Sequence, residues 1–263
     1  RRIYASFNVG GGWAWDGGSQ YHAKAGARGL DWDRRAPQST DDYYDQLLYP
    51  RNYKGQQPNN SPIIAHEQGQ WCAFPDLSER SQYTGVYKAY NFDIFADLLR
   101  DHGMEQMATK FLHSSGKLQT LCYKYEIERN LRTKGYAGFM LLALNDYSGQ
   151  GTALVGPLNV FFREKGYVDS TQWRQFCNDV VVMAEFPKFV FTTGEQAEVA
   201  VDVYNATGGR TLSQARLSYA ISPSGTGGTV LTADLPAGKS LKVARVPLFT
   251  DTTLPGKYTL TLT

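Results

Sequence analysis

The sequence changes character near residue 180, and that change restricts the folds open to it more than any other feature. Up to about Asn178, short apolar strand-like runs alternate with long segments of helical periodicity. From about Val181 onward there are only short alternating runs separated by turn residues. Strands alternating with helices are the pattern of βα units around a parallel sheet. Short strands broken by "NATGG", "SPSGTGG", "PAG" and "LPG" are the pattern of a β-sandwich. At 263 residues the chain has room for both. The expected division is an α/β part over residues 1–180 and an all-β part over 181–263.

In the first part, "RRIYASFN", "DYYDQLLYP", "SPIIAHE" and "YAGFMLLALND" read as strands. The last is nearly continuous in apolar residues, as strands covered on both faces of a parallel sheet are. Pro62 suits the first position of the third, where its missing N–H costs no ladder bond. Helices are expected over 92–101, 104–113, 116–134 and 170–179. The third carries Leu118, Leu121 and Tyr125 at helical spacing and stops at Gly135, a residue suited to a C-terminal cap. Ser170 or Thr171 would cap the fourth. In the second part the alternation is clearest in "AEVAVDV", carboxylates are scattered and no His or Cys follows Cys177. That half reads as a packing module rather than a second active site.

Charge and hydropathy remove whole classes of function. The formal net charge is +2, with no cluster of Lys and Arg on the scale that phosphate neutralisation needs, so no nucleic-acid partner is expected. The longest apolar runs, such as "FMLLAL" and "VVVMA", fall far short of the roughly 20 residues of a membrane span. Cys72, Cys122 and Cys177 have no CxxC spacing and read as three buried thiols. The four histidines show no H-E-x-x-H, and His66 and Glu67 would point to opposite faces of a strand, so neither metal nor cofactor is expected. The chain opens at Arg1 with neither an initiator Met nor a signal peptide, and is expected to be a processed or excised piece.

Chemistry concentrates at strand ends. "SPIIAHEQGQW" runs apolar residues straight into His66, Glu67, Gln68, Gln70 and Trp71. Side chains at the carboxyl end of a parallel strand face the crevice in which α/β folds bind ligands. A glutamate there can serve as nucleophile, general acid or metal ligand, or the strand end can simply meet water. "ALNDYSGQGTALVG" loads a second strand end with Asn145, Asp146, Tyr147 and Gln150. A third candidate is "GGWAWDGGSQYH". It lacks the Walker lysine and is no strand-to-helix G-x-G-x-x-G unit. Trp13, Trp15 and Asp16 on such a loop suit a platform that stacks on a sugar ring, or the tryptophans plug into the core. No G-x-S-x-G signals a serine nucleophile, and "SSG" at Ser114 reads as a helix cap.

At these residues the sequence resembles glycoside hydrolase family 2, the β-galactosidase and β-glucuronidase family. The resemblance is carried by "PIIAHEQGQW", "LLALNDYSGQGTALVG" and, between them, "KLQTLCYKYEIERNLRT". It extends over residues 1 to about 176, and the β-rich tail fits the family's C-terminal sandwich. It implies the C-terminal half of a (β/α)₈ TIM barrel followed by an immunoglobulin-like β-sandwich, and a retaining mechanism with two catalytic glutamates. Glu67 matches the nucleophile at the end of the seventh strand. The family's acid/base follows an Asn after the fourth strand, and this sequence contains no Asn-Glu pair. On that alignment "RRIYASFN" is the fifth strand, and an N-terminal part of the same protein would complete the barrel. His66, Gln68, Gln70, Asp146 and Gln150 become candidate substrate contacts, and Trp13, Trp15 and Trp71 candidate stacking surfaces beside Asp16. The resemblance further implies a carbohydrate substrate and a periplasmic or secreted bacterial setting. Two alternatives stand beside it: a non-catalytic carbohydrate-binding or scaffold protein on a degenerate barrel, and a sandwich that itself binds a polymer.

Overall fold

The computed structural model describes residues 2–5, 19–25, 62–133, 136–147, 153–192, 194–248 and 254–263. Three strands, β1 (His22–Ala25), β2 (Ile63–Gln68) and β3 (Tyr136–Leu141), form a parallel sheet in the order β1-β2-β3. Between β2 and β3 the chain makes a 3₁₀ turn at Leu77–Gln82, helix α1 (Tyr90–Asp101), a second 3₁₀ turn at Glu105–Met107 and helix α2 (Ala108–Arg132). Parallel neighbours need such a long crossover, because the chain must return to the same sheet end.

Several expectations change. Residues 2–5 carry no strand; instead Tyr4 exchanges bonds with Gln20, its carbonyl accepting from the Gln20 amide and its own amide donating to Gln20 Oε1, each at 2.9 Å. Strand β1 lies inside the stretch expected to be a connection, and "DYYDQLLYP" falls outside the described residues. The helices expected over 104–113 and 116–134 are one helix. Gly116 lies within it, where the place a Cβ would take is filled by the Tyr167 ring, 2.2 Å away. Ser115 lies within the helix rather than capping it, its Oγ donating to the Phe111 carbonyl at 2.6 Å and accepting from the Phe74 amide at 2.7 Å. α2 ends at Arg132, ahead of Gly135. The helix expected over 170–179 is a single turn, α3 (Ser170–Trp173), and its cap is Asp169, which forms a reciprocal capping box with Gln172.

The remainder is antiparallel. Strands β4 (Val180–Glu185), β5 (Glu198–Asn205) and β8 (Gly238–Pro247) form one sheet in that order. β7 (Thr226–Leu235), β6 (Leu212–Ser222) and β9 (Thr259–Leu262) form the other. Residues 189–192 carry no strand. The two sheets share an apolar cluster in which Val199, Val201 and Val246 of one meet Leu217, Leu231 and Leu260 of the other.

β4 packs on both faces, buried on one and half-buried on the other, and its period of two gives the two faces different neighbours. Val182 and Ala184 join the cluster between the antiparallel sheets. Val181 and Met183 face α2, packing with Tyr123, Ile127, Leu131 and Phe176, against which Phe139 and Leu141 of β3 also rest. α2 is thus held between the parallel sheet and the first antiparallel sheet. Each apolar side chain buried there contributes roughly 1.5–3 kcal/mol. The cluster therefore crosses the division expected at residue 180. No described helix is long and apolar enough to cross a membrane. Of the three cysteines expected to be buried, only Cys122 is; Cys177 is half-buried and Cys72 exposed.

Candidate functional site

The end of β2 departs from regular strand geometry. Ala65 pairs with Phe139 and Gln68 with Leu141, so three residue steps on β2 stand against two on β3. The extra residue makes a bulge, a device that re-aims side chains next to binding sites. Glu67 sits inside it with φ +53°, a left-handed backbone that a non-glycine residue adopts at a cost of about 1–3 kcal/mol. Gly69 follows at φ +81°. Here glycine is required twice over, because a Cβ would also lie 1.8 Å from Tyr123 Cε1.

What holds this segment is a stripe of polar side chains on α2, Gln119, Tyr123, Glu126 and Asn130, spaced to lie on one helix face. Asn130 Nδ2 donates to Gln68 Oε1. Glu126 accepts from the Gly69 amide at 3.0 Å and from the Trp71 indole N–H at 2.9 Å. Tyr123 Oη shares its one O–H between the carbonyls of Val155 at 2.7 Å and Gly69 at 3.0 Å. Gln119 Nε2 donates to the carbonyls of Trp71 at 2.7 Å and Leu154 at 3.0 Å. All four are buried, and buried polar groups are tolerated where they are paired in this way. The helix therefore turns a polar stripe inward, while Leu118 and Leu121, expected to form its apolar face, are exposed.

Of the residues singled out in the sequence, His66 and Glu67 are half-buried and Gln70 is exposed, its Nε2 donating to Glu67 Oε2 at 3.4 Å. Gln68 is wholly buried, and its Nε2 makes no hydrogen bond among the described residues. Trp71 is half-buried with its indole fixed by Glu126. Trp13, Trp15, Asp16 and Gln150 lie outside the described residues.

The end of β3 adjoins this segment, where the Leu142 amide donates to the Gln68 carbonyl at 2.9 Å. Beyond it a cavity of about 270 Å³ is lined by Leu142, Asn145, Asp146, Tyr147 and Val155 among others. Tyr147 is exposed, but Asp146 is not free to face it. The Asp146 carboxylate accepts from the Gly156 amide at 3.0 Å and pairs with Lys165 Nζ at 2.6 Å, both side chains being almost fully buried. Gly156 permits this closeness, since a Cβ there would lie 2.3 Å from the Asn145 carbonyl carbon. Burial raises the Asp146 pKa although the Lys165 ammonium pulls the other way.

Glu79, from the 3₁₀ turn, completes this buried group. Neither of its carboxylate oxygens makes a hydrogen bond among the described residues, and burial, then the nearby Asp146 charge, pushes its pKa up to about 7. With Glu79 protonated, the Glu79, Asp146 and Lys165 group is neutral. Tyr167 ties it to the polar stripe, its hydroxyl donating to Gln119 Oε1 at 2.6 Å.

The inward stripe was the part of the site that sequence reading missed. Its signal was present as polar residues at i, i+4, i+7 and i+11, but an apolar alternative at Leu118, Leu121 and Tyr125 offered the same period. Among the described residues no group of three or more His, Cys, Asp or Glu could hold a metal ion. A search against protein-family models finds no match for this chain, and a search of curated proteins also finds none.

Proposed function

We propose that this chain is part of a retaining, exo-acting β-glycosidase in which Glu67 is the nucleophile. In this reading the parallel strands belong to the C-terminal half of a (β/α)₈ barrel, and the antiparallel sheets to an immunoglobulin-like sandwich. The observation that carries it is the backbone of Glu67: a carboxylate at the carboxyl end of a parallel strand, held in a left-handed conformation inside a bulge. Strain of that kind persists only where the surroundings over-determine it, and it clusters at active sites. The stripe on α2 supplies that over-determination.

Retaining hydrolysis would run in two displacements. A Glu67 oxygen attacks the anomeric carbon as the leaving oxygen departs with a proton, and water then releases the sugar from the glycosyl ester. The proton donor would be a second carboxylate about 5–5.5 Å from the first, supplied by an N-terminal part of the same protein. In this reading Gln70 and His66 would contact hydroxyl groups, and the Trp71 ring would meet a sugar face. A periplasmic or secreted setting accompanies this reading. Replacing Glu67 by Gln keeps the shape and removes the nucleophile. Turnover of an aryl β-glycoside by the intact protein should then fall by about 10⁴-fold, and a variant that retains turnover contradicts the assignment.

The second reading is a non-catalytic carbohydrate-binding or scaffold protein on a degenerate barrel. Under it the wild-type protein retains glycans but turns over none, and Glu67→Gln changes nothing beyond affinity.

A further inference from the structure

We infer that Glu126 is a positioning residue for the reaction at Glu67, acting through Gly69 and Trp71. The inference rests on the reading of Glu67 as nucleophile. Both Glu126 oxygens are committed: Oε2 accepts from the Gly69 amide at 3.0 Å and Oε1 from the Trp71 indole at 2.9 Å. The residue is 2% exposed. Burying a carboxylate is costly, and two N–H donors to one anionic group are the arrangement that offsets the cost.

The other members of the stripe leave a specific task for Glu126. Gln119 and Tyr123 grip the backbone carbonyls of Trp71 and Gly69, and Asn130 grips the Gln68 side chain. Glu126 takes the Gly69 amide and the Trp71 ring nitrogen. Glu67 at φ +53° and Gly69 at φ +81° are two left-handed residues flanking Gln68, so rotation about this short segment swings the Glu67 carboxylate. Glu126 fixes that rotation at Gly69 and fixes the plane of the indole at Trp71. A neutral amide cannot do both, because its oxygen can accept one N–H while its NH₂ faces the other donor.

The test uses 2,4-dinitrophenyl 2-deoxy-2-fluoro-β-glycosides of the gluco and galacto series. In the labelling step the bond from a Glu67 oxygen to the anomeric carbon forms and the bond to the aryl oxygen breaks. The electron pair leaves with dinitrophenolate, so no proton donor is needed, and the fluorine slows release of the ester. Saturating labelling rate and Ki are measured on the intact protein, with the label located by peptide mass spectrometry. For Glu126→Gln the expected result is a labelling rate lowered about 100-fold in folded protein, the cost of a reacting group misplaced by about 1 Å. For Trp71→Phe, which removes the indole donor to Glu126 together with part of the ring face, the expected result is a Ki weakened about 5-fold, on the order of one hydrogen bond. A Glu126→Gln protein that labels at the wild-type rate overturns the inference. If that variant does not fold, an unchanged Ki in Trp71→Phe overturns it instead. Wild-type protein that is never labelled at Glu67 removes the nucleophile reading itself, and the positioning role with it.

Discussion

Arg132, the last residue of α2, donates its Nε–H to the Asp202 carboxylate of β5 at 2.9 Å, and both side chains are almost entirely buried. The same guanidinium reaches Glu128 and the Ala184 carbonyl, each at 3.1 Å, and Asp202 also accepts from the Lys242 amide at 2.7 Å. Nearby, Lys239 Nζ donates to the carbonyls of Asn130, Thr133 and Tyr136, where a cation complements the C-terminal end of the helix dipole. The helix that positions the site is therefore clamped to the antiparallel sheet by charge as well as by Val181 and Met183. Removing one partner of such a pair strands the other: Asp202→Ala should cost about 3–5 kcal/mol in a denaturant titration. Arg132→Met combined with Asp202→Leu should recover part of that loss, because the two charges leave together and Glu128 keeps its pairing with Lys124.

Gly116 and Tyr167 make a steric prediction. A methyl group at Gly116 would overlap the Tyr167 ring, whose hydroxyl is fixed by Gln119 Oε1 and cannot swing away without breaking that bond. In an ordinary helix Gly→Ala stabilises by about 0.5–1 kcal/mol. Here Gly116→Ala should destabilise by about 1–3 kcal/mol through overpacking, read as a lower unfolding midpoint.

Glu79 predicts a pH dependence with a definite sign. Its folded pKa of about 7 lies above the ordinary value of 4.5, so between those limits the native state holds a proton that the unfolded state has released. Stability therefore falls as pH rises from about 4.5 to about 7 and levels off above that. Glu79→Gln cannot ionise, and should leave stability nearly unchanged at pH 4.5 while raising it at pH 8, by on the order of 3 kcal/mol at most. Unfolding curves of the two proteins at both pH values measure the difference directly.

What the sequence made legible follows from the range of the forces involved. β2 and β3 were readable as apolar runs, α1 and α2 from their helical period, and β5 to β9 from alternation and turn residues, all of them local signals. β1 was not, because "HAKA" has no apolar run and is made a strand only by pairing with β2. The continuity of α2 through Gly116 was hidden because the reason for that glycine, the Tyr167 ring, lies 51 residues away in the chain. Glu67 was visible as a carboxylate at a strand end, whereas its left-handed backbone depends on the mismatch in pairing between β2 and β3. The inward polar stripe lies beside buried apolar residues of the same helix such as Ile127 and Leu131, and its partners on residues 68–71 and 154–155 explain it.

The strain at Glu67 separates stability from activity. Glycine adopts a left-handed backbone without the roughly 1–2 kcal/mol that other residues incur, partly offset by its greater freedom in the unfolded chain. Glu67→Gly should therefore raise the unfolding free energy by up to about 1 kcal/mol while abolishing turnover. A loss of stability instead would mean that the contacts of the Glu67 side chain outweigh the backbone strain.

The same variant provides the most direct measurement of the central claim, that Glu67 is the nucleophile of a retaining β-glycosidase. With that carboxylate removed, azide can enter the space it leaves and attack the anomeric carbon of a dinitrophenyl β-glycoside, expelling dinitrophenolate. The account predicts that Glu67→Gly is inactive alone, regains dinitrophenolate release when azide is added, and yields the α-glycosyl azide by nuclear magnetic resonance. No rescue from a well-folded variant whose wild type is active, or rescue giving the β-glycosyl azide, would contradict it.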